Sequence, residues 1–231
     1  MTDLSERIKQ VYTEIRQHCE TYQRDTDDIL LLAVSKTRTS TEIAEAFALG
    51  IHRFGENYLQ EAQTKMATLG DLPIEWHFIG PLQSNKTRPV AESFDWVHSL
   101  DRFKIAKRLS EQRPADLPPL NVCLQVNIDD EDSKSGCQPD EVLELARQIA
   151  QLPQLKFRGL MAIPAPTEDI DQQHRAFKAV AKLAEQLNQS GLTIDTLSMG
   201  MSSDLEAAIA QGSTMVRVGT ALFGPRPTKN T

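Results

Sequence analysis

Ile29-Leu30-Leu31-Leu32-Ala33-Val34 is an apolar run without a polar interruption. A strand that reads this way is buried on both faces, as happens where helices cover a parallel sheet. The rest of the chain repeats the theme. Further strands are expected at Arg53–Gly55, Ile74–Ile79, Trp96–Ser99, Leu120–Ile128, Phe157–Ile163, Thr196–Met199 and Met215–Val218. Helical spacing of apolar residues predicts helices at Leu4–Tyr22, Ser40–Leu49, Asn57–Leu69, Ser84–Glu92, Asp101–Gln112, Pro139–Leu152, Ile170–Gln189 and Ser203–Gln211. Ser5 or Thr2 is expected to cap the first helix and Asp101 the fifth, with Pro139 in the opening turn of the sixth.

Strands alternating with helices over 231 residues fit an α/β fold, a single (β/α)8 TIM-type barrel with an additional N-terminal helix. The rival is a doubly wound open sheet. No G-x-G-x-x-G turn follows any strand, which favours the barrel. Arg113–Pro119 is too short for a linker and no repeat is visible, so residues 1–231 read as one domain.

Charge narrows the function. Lys plus Arg is 25 and Asp plus Glu is 32, a formal charge of −7. That balance argues against nucleic-acid binding and against docking on anionic membranes. The polar start, Met1–Gln10, lacks the apolar core of a signal peptide. No apolar run approaches the ~18 residues that cross a bilayer. Cys19, Cys123 and Cys137 are odd in number and lack C-x-x-C spacing, which suits reduced thiols and a cytoplasmic location. Cys123 is expected to pack or line the barrel, and Cys137, in the polar loop 129–138, to be exposed. The five histidines have no metal-ligand spacing, so no metal is expected.

Three segments carry chemistry. Lys36 ends the first strand, where a barrel delivers side chains to its C-terminal mouth. Period-two alternation puts Leu30, Leu32 and Val34 on the same inward face. An amine above that apolar layer is desolvated, which frees it as a nucleophile toward carbonyls, unless it snorkels to water. The second segment, Leu197–Glu206, runs a strand through Gly200 into a helix, with Ser202 or Ser203 at its start. Helix starts accept anions, although Ser203 and Glu206 also have the spacing of an ordinary capping box. The third is Arg217-Val218-Gly219-Thr220. Gly219 admits a ligand to the backbone, Thr220 adds a hydroxyl, and a buried Arg217 needs a partner, either a ligand or a carboxylate such as Glu56. An amine, a phosphate cradle and an arginine fit an aldehyde bearing a phosphate. Pyridoxal 5′-phosphate (PLP) is one such molecule; the sugar-phosphate substrate of a lysine aldolase is another.

AVSKT (33–37), FGENY (54–58), WHFIGPLQSNK (76–86), GLMAIP (159–164), SMGMSSDLEAAI (198–209) and GSTMVRVGTALFG (212–224) together resemble the pyridoxal-phosphate homeostasis protein family. The resemblance spans nearly the whole chain. It implies a barrel like the N-terminal domain of alanine racemase, with PLP joined to Lys36 as an aldimine. It implies that Ser202, Gly219 and Thr220 hold the phosphate with help from Ser203, and that Arg217 faces the pyridine nitrogen. It also implies that Asn57 lines the pocket near the ring, with His77 and Met199 as weaker candidates for the same wall.

Arginine only donates hydrogen bonds, so it disfavours a protonated pyridine and weakens the ring as an electron sink. Alanine racemases add a tyrosine from a second domain. This chain ends at Thr231, soon after the eighth strand, and its tyrosines are Tyr12, Tyr22 and Tyr58. A cofactor-binding protein without robust turnover is therefore expected. The resemblance implies that it acts in vitamin B6 homeostasis, with effects on amino-acid and keto-acid balance, and a monomer with PLP-dependent apoenzymes as acceptors is expected. A PLP-dependent racemase and a Schiff-base aldolase are the alternatives. Lys134 near the mouth and the Gln83–Lys86 segment as a handover surface complete the candidates.

Overall fold

The computed structural model describes residues 3–129 and 135–225; Thr2, residues 130–132 of the acidic run and Lys134 lie outside them. Its strands are β1 (Leu30–Val34), β2 (Arg53–Glu56), β3 (Glu75–Phe78), β4 (Trp96–Leu100), β5 (Leu120–Val126), β6 (Leu155–Ala162), β7 (Thr196–Ser198) and β8 (Met215–Val218). They form a closed barrel in chain order, and every pair is parallel. β8 closes on β1 with Leu30 opposite Met215 and Leu32 opposite Arg217. Helix α1 (Leu4–Thr21) precedes the barrel. The outer ring is α2 (Ser40–Ala48), α3 (Leu59–Thr68), α4 (Thr87–Ser93), α5 (Phe103–Gln112), α6 (Val142–Ala150), α7 (Ile170–Gln189) and α8 (Leu205–Ala210), with a short α9 (Thr220–Phe223) after β8. This is the expected TIM-type architecture with its extra first helix; closure excludes the open sheet.

The core has two layers. Alternate strand residues such as Leu31, Ala33, Phe54, Trp76, Phe78 and Val97 pack outward against the helices. The residues between them fill the barrel, where Leu32, Trp96, Cys123, Met161 and Met215 cluster with Leu30 and Ile79. The inward face of β1 is therefore the one that alternation indicates.

Several local expectations are corrected. Asp3, not Ser5, caps α1, its carboxylate accepting the Glu6 amide at 2.8 Å. A carboxylate at this position also complements the helix dipole, which a serine would not. α5 starts at Phe103, and Asp101 pairs with Arg102 at 2.8 Å instead of capping. α6 starts at Val142, beyond a turn containing Pro139 in which Glu141 accepts the Gln138 amide at 2.8 Å. α8 starts at Leu205, and no Ser203–Glu206 capping box forms: Tyr22 donates to Glu206 at 2.9 Å. Cys137 is buried, not exposed, because its backbone bridges to Val126 alongside β5.

Burial pushes the thiols of Cys123 and Cys137 up to about 12 and raises that of Cys19. At pH 8 the native protein should give less than one thiol to Ellman's reagent within minutes, and all three after unfolding in urea. A second test concerns β6. Its register against β5 shifts around Arg158, and Gly159 there has φ +153°. A Cβ at Gly159 would lie 1.9 Å from the Thr196 carbonyl oxygen. Gly159→Ala should cost about 2–4 kcal/mol in urea denaturation.

Candidate functional site

Lys36 does not end β1; it lies half-buried in the turn that follows. That turn is held on both sides. The Ser35 amide donates to the Gly55 carbonyl at 3.0 Å, and the Thr37 amide, with φ +66°, donates to Glu61 at 2.6 Å. Arg38 then donates to the Gly224 and Pro225 carbonyls and stacks its guanidinium over Phe223 at 5.6 Å. The chain on either side of Lys36 is thus tied to β2, to α3 and to the segment after α9.

Beneath the turn is a buried ion cluster that sequence reasoning missed. Lys65 on α3, 4% exposed, donates to Glu56 at 2.7 Å, to Glu61 at 2.5 Å and to the Ser35 carbonyl at 2.8 Å. Ser35 also donates its hydroxyl to Glu56 at 2.6 Å. Burial pushes the Glu56 carboxyl up, and the Lys65 ammonium opposes that rise. Glu56 is thereby spoken for and is not the partner of Arg217. The only sequence signal was the helical spacing of Glu61 and Lys65.

The loops after β7 and β8 form the next part of the rim. Val34, Lys36, Arg38, Gly219 and Thr220 line one small cleft of about 30 Å³. A Cβ at Gly219 would lie 3.3 Å from Val34, so the glycine keeps the backbone open there. Ser202 and Ser203 are exposed in the turn between β7 and α8. Burial raises the Asp204 carboxyl beside them, and its Oδ1 accepts the Met201 amide at 2.5 Å. Asn57 opens a neighbouring cleft of about 290 Å³ with Tyr58, Phe78, Pro81, Gln83 and Lys86, and its Oδ1 is buried with no partner among the described residues. The Gln83–Lys86 segment is a 3-10 turn, Ser84–Lys86, leading into α4. Met199 lies in the outer core and forms no part of the pocket wall.

Arg217 points into the barrel and is 4% exposed. Nη1 donates to the Ser198 carbonyl and, at 2.8 Å, to the Ser198 hydroxyl; Nη2 donates to the Ala162 carbonyl at 2.9 Å. Three of five N–H donors are so engaged. Burial draws its pKa down to about 10, which leaves it cationic at neutral pH. His77, expected at the pocket wall, is instead wholly buried in the barrel interior with His98.

A family model described as alanine racemase, N-terminal domain, matches residues 7–227. The pyridoxal phosphate homeostasis protein of Pseudomonas aeruginosa is 59% identical over 98% of this chain and 97% of its own length. The protein of the same name in Escherichia coli is 53% identical over 98% of each. PipY of Synechococcus elongatus, 37% identical over 96% of this chain and 100% of its own, superposes with a TM-score of 0.87 without PLP and 0.84 with PLP bound. Alanine racemase from Corynebacterium glutamicum shares the fold at 17% identity and a TM-score of 0.70, over 96% of this chain and 62% of that one.

The chemistry of the rim suits a phosphorylated pyridine aldehyde, and the cleft of about 30 Å³ has to widen to admit one. It offers an amine at Lys36, an open backbone and hydroxyl at Gly219 and Thr220, and an unsatisfied acceptor at Asn57. The brace under Lys36 is testable by itself. Lys65→Met leaves Glu56 charged and buried, a loss of about 3–5 kcal/mol at pH 8. Without the ammonium the Glu56 pKa rises further, so the folded state binds a proton that the unfolded state releases. Stability gained that way is present at low pH and lost as pH rises, so the deficit should shrink between pH 8 and pH 5 in urea titrations.

Proposed function

The chain belongs to the pyridoxal phosphate homeostasis protein family, and on that premise we propose that it binds PLP at the barrel mouth and buffers or delivers it in vitamin B6 homeostasis. One juxtaposition supports this reading above the rest. The closure of β8 on β1 sets Lys36, Gly219 and Thr220 around a single cleft. When bound, PLP supplies an aldehyde carbon open to amines and a ring that withdraws electrons. Lys36 Nζ would hold the group at that carbon, the amine condensing with the aldehyde and releasing water. The backbone at Gly219, the Thr220 hydroxyl and Ser202, assisted by Ser203, take the phosphate. Arg217 would face the ring nitrogen, and the Asn57 amide would line the pocket at the ring's edge.

The reading favours a binder over an enzyme. Arg217 brings a donor and a positive charge to the ring nitrogen, where a strong electron sink needs a carboxylate. No carboxylate among the described residues forms a salt bridge with it. Tyr12 lies on α1 and Tyr22 caps that helix, whereas Tyr58 is 56% exposed in the cleft beside Asn57. Residues 1–231 act as one unit, a monomer in the cytoplasm, that serves PLP-dependent apoenzymes and through them amino-acid and keto-acid balance. No helix among the described residues is long and apolar enough to cross a membrane.

The purified protein loaded with PLP should show a visible absorption band that borohydride abolishes, with the added mass on the peptide carrying Lys36. Lys36→Ala should lose the adduct and shift the band to that of the free aldehyde while still binding PLP, about tenfold more weakly or worse. A wild-type protein that neither carries nor takes up PLP overturns the reading. Racemisation of alanine at about 1 per second or faster would make it an enzyme.

A further inference from the structure

A line of polar side chains crosses the barrel interior below the mouth. Glu75 Oε1 lies 2.8 Å from His77 Nε2, and His77 Nδ1 lies 2.9 Å from His98 Nε2. His98 Nδ1 lies 2.8 Å from the Ser198 hydroxyl, which accepts from Arg217 at 2.8 Å. The line starts on β3, passes to β4, spans the lumen to β7 and ends on β8. His77, His98 and Ser198 are all 0% exposed, so no water satisfies them from outside. Trp96 stacks on His77 at 5.3 Å and 12° and fixes the ring.

The two ends settle every proton between them. Arginine has donors only, and an ionised carboxylate has acceptors only. His77 donates from Nε2 to Glu75, so its Nδ1 is the bare acceptor of a neutral ring. His98 then donates from Nε2, and its own Nδ1 accepts the Ser198 hydroxyl proton. Ser198 keeps its lone pairs for Arg217. The opposite direction would need an extra proton on the pair, and burial lowers the proton affinity of both rings. The bond to His77 in turn holds Glu75 below the usual carboxylate range.

We propose that Glu75, His77, His98 and Ser198 are positioning residues, a one-way hydrogen-bond chain that fixes the orientation of the Arg217 guanidinium. The chain anchors a buried cation to a half-exposed carboxylate at the opposite end of the line, which also pairs with Arg53 at 3.2 Å. Ser198 orients Arg217 twice, through its carbonyl and its hydroxyl, and the histidines set which way that hydroxyl points. The effect on PLP rests on the reading of the previous subsection; the effect on Arg217 does not.

The test is nitrogen NMR of the PLP-free protein, labelled on histidine and arginine. In the wild type, His77 and His98 should each show a protonated Nε2 and a bare Nδ1. The Arg217 Nη signals should be resolved, as for a guanidinium that does not rotate freely. Ser198→Ala should average those signals, and Ser198→Thr, which restores the hydroxyl, should separate them again. Glu75→Ala, a change at a half-exposed position, should let His77 populate both tautomers. An Nδ1–H tautomer at His98 in the wild type, or freely rotating Arg217 signals there, overturns the chain even if a variant fails to fold. Arg217 signals unmoved by Ser198→Ala overturn the positioning role. In a separate titration, Ser198→Ala should weaken PLP binding roughly tenfold and shift its visible band. A wild type that binds no PLP would count against the function proposed above while the NMR readout still decides the chain.

Discussion

The pairing of β8 with β1 is the constraint on which the molecule depends. It removes both edges of the sheet, so each strand finds backbone partners on two sides. It also makes residues nearly two hundred positions apart into neighbours. Leu32 faces Arg217 and Val34 touches Gly219 only because the sheet closes. A doubly wound sheet of the same strands would leave the turn after β1 and the turn after β8 apart, and neither is a site alone.

Closure places these groups, and buried charge keeps them there. The turn carrying Lys36 is anchored through Ser35 and Thr37 to Glu56, Lys65 and Glu61. The side chains of Ser35, Glu56, Glu61 and Lys65 thereby convert a surface turn into part of the rigid body. Buried pairs of this kind add little net stability over an apolar alternative. Their contribution is geometric: charges that must stay paired cannot let the turn drift. The inner face of the barrel works likewise, with an apolar cluster around Leu32 and Met161 beside a polar line ending at Arg217.

Much of the fold was legible because the relevant signals are local. Apolar runs such as 29–34 and 120–128 mark buried strands whatever surrounds them, and period two identified the inward face of β1. Helix ends were less legible, since Asp3, Ser5 and Thr2 are all competent caps and neighbouring geometry chooses among them. Cys137 was misplaced because its polar surroundings hid a backbone bridge to Val126. Lys36, Gly219 and Thr220 could be placed on one rim once a barrel was assumed. The contacts of Lys65 with Glu56 and of His98 with Ser198 could not, since they arise from closure across unrelated segments. Nothing in a sequence separates a histidine that hydrogen-bonds across a barrel from one that packs in it.

The polar line also bears on how such a barrel can change over generations. Its two buried histidine rings are satisfied by their neighbours in the line, and the donor at one end dictates the tautomer at the other. Replacing one residue strands a buried donor or acceptor, while replacing the whole set with apolar residues of like volume leaves only the Ser198 and Ala162 carbonyls without the donor that Arg217 gave them. Intermediates on that path are less stable than either end. The interior of this barrel is therefore expected to be inherited as a block: drift at the helices' outer faces is cheap, and the lumen is trapped in its polar solution by the valley between the two.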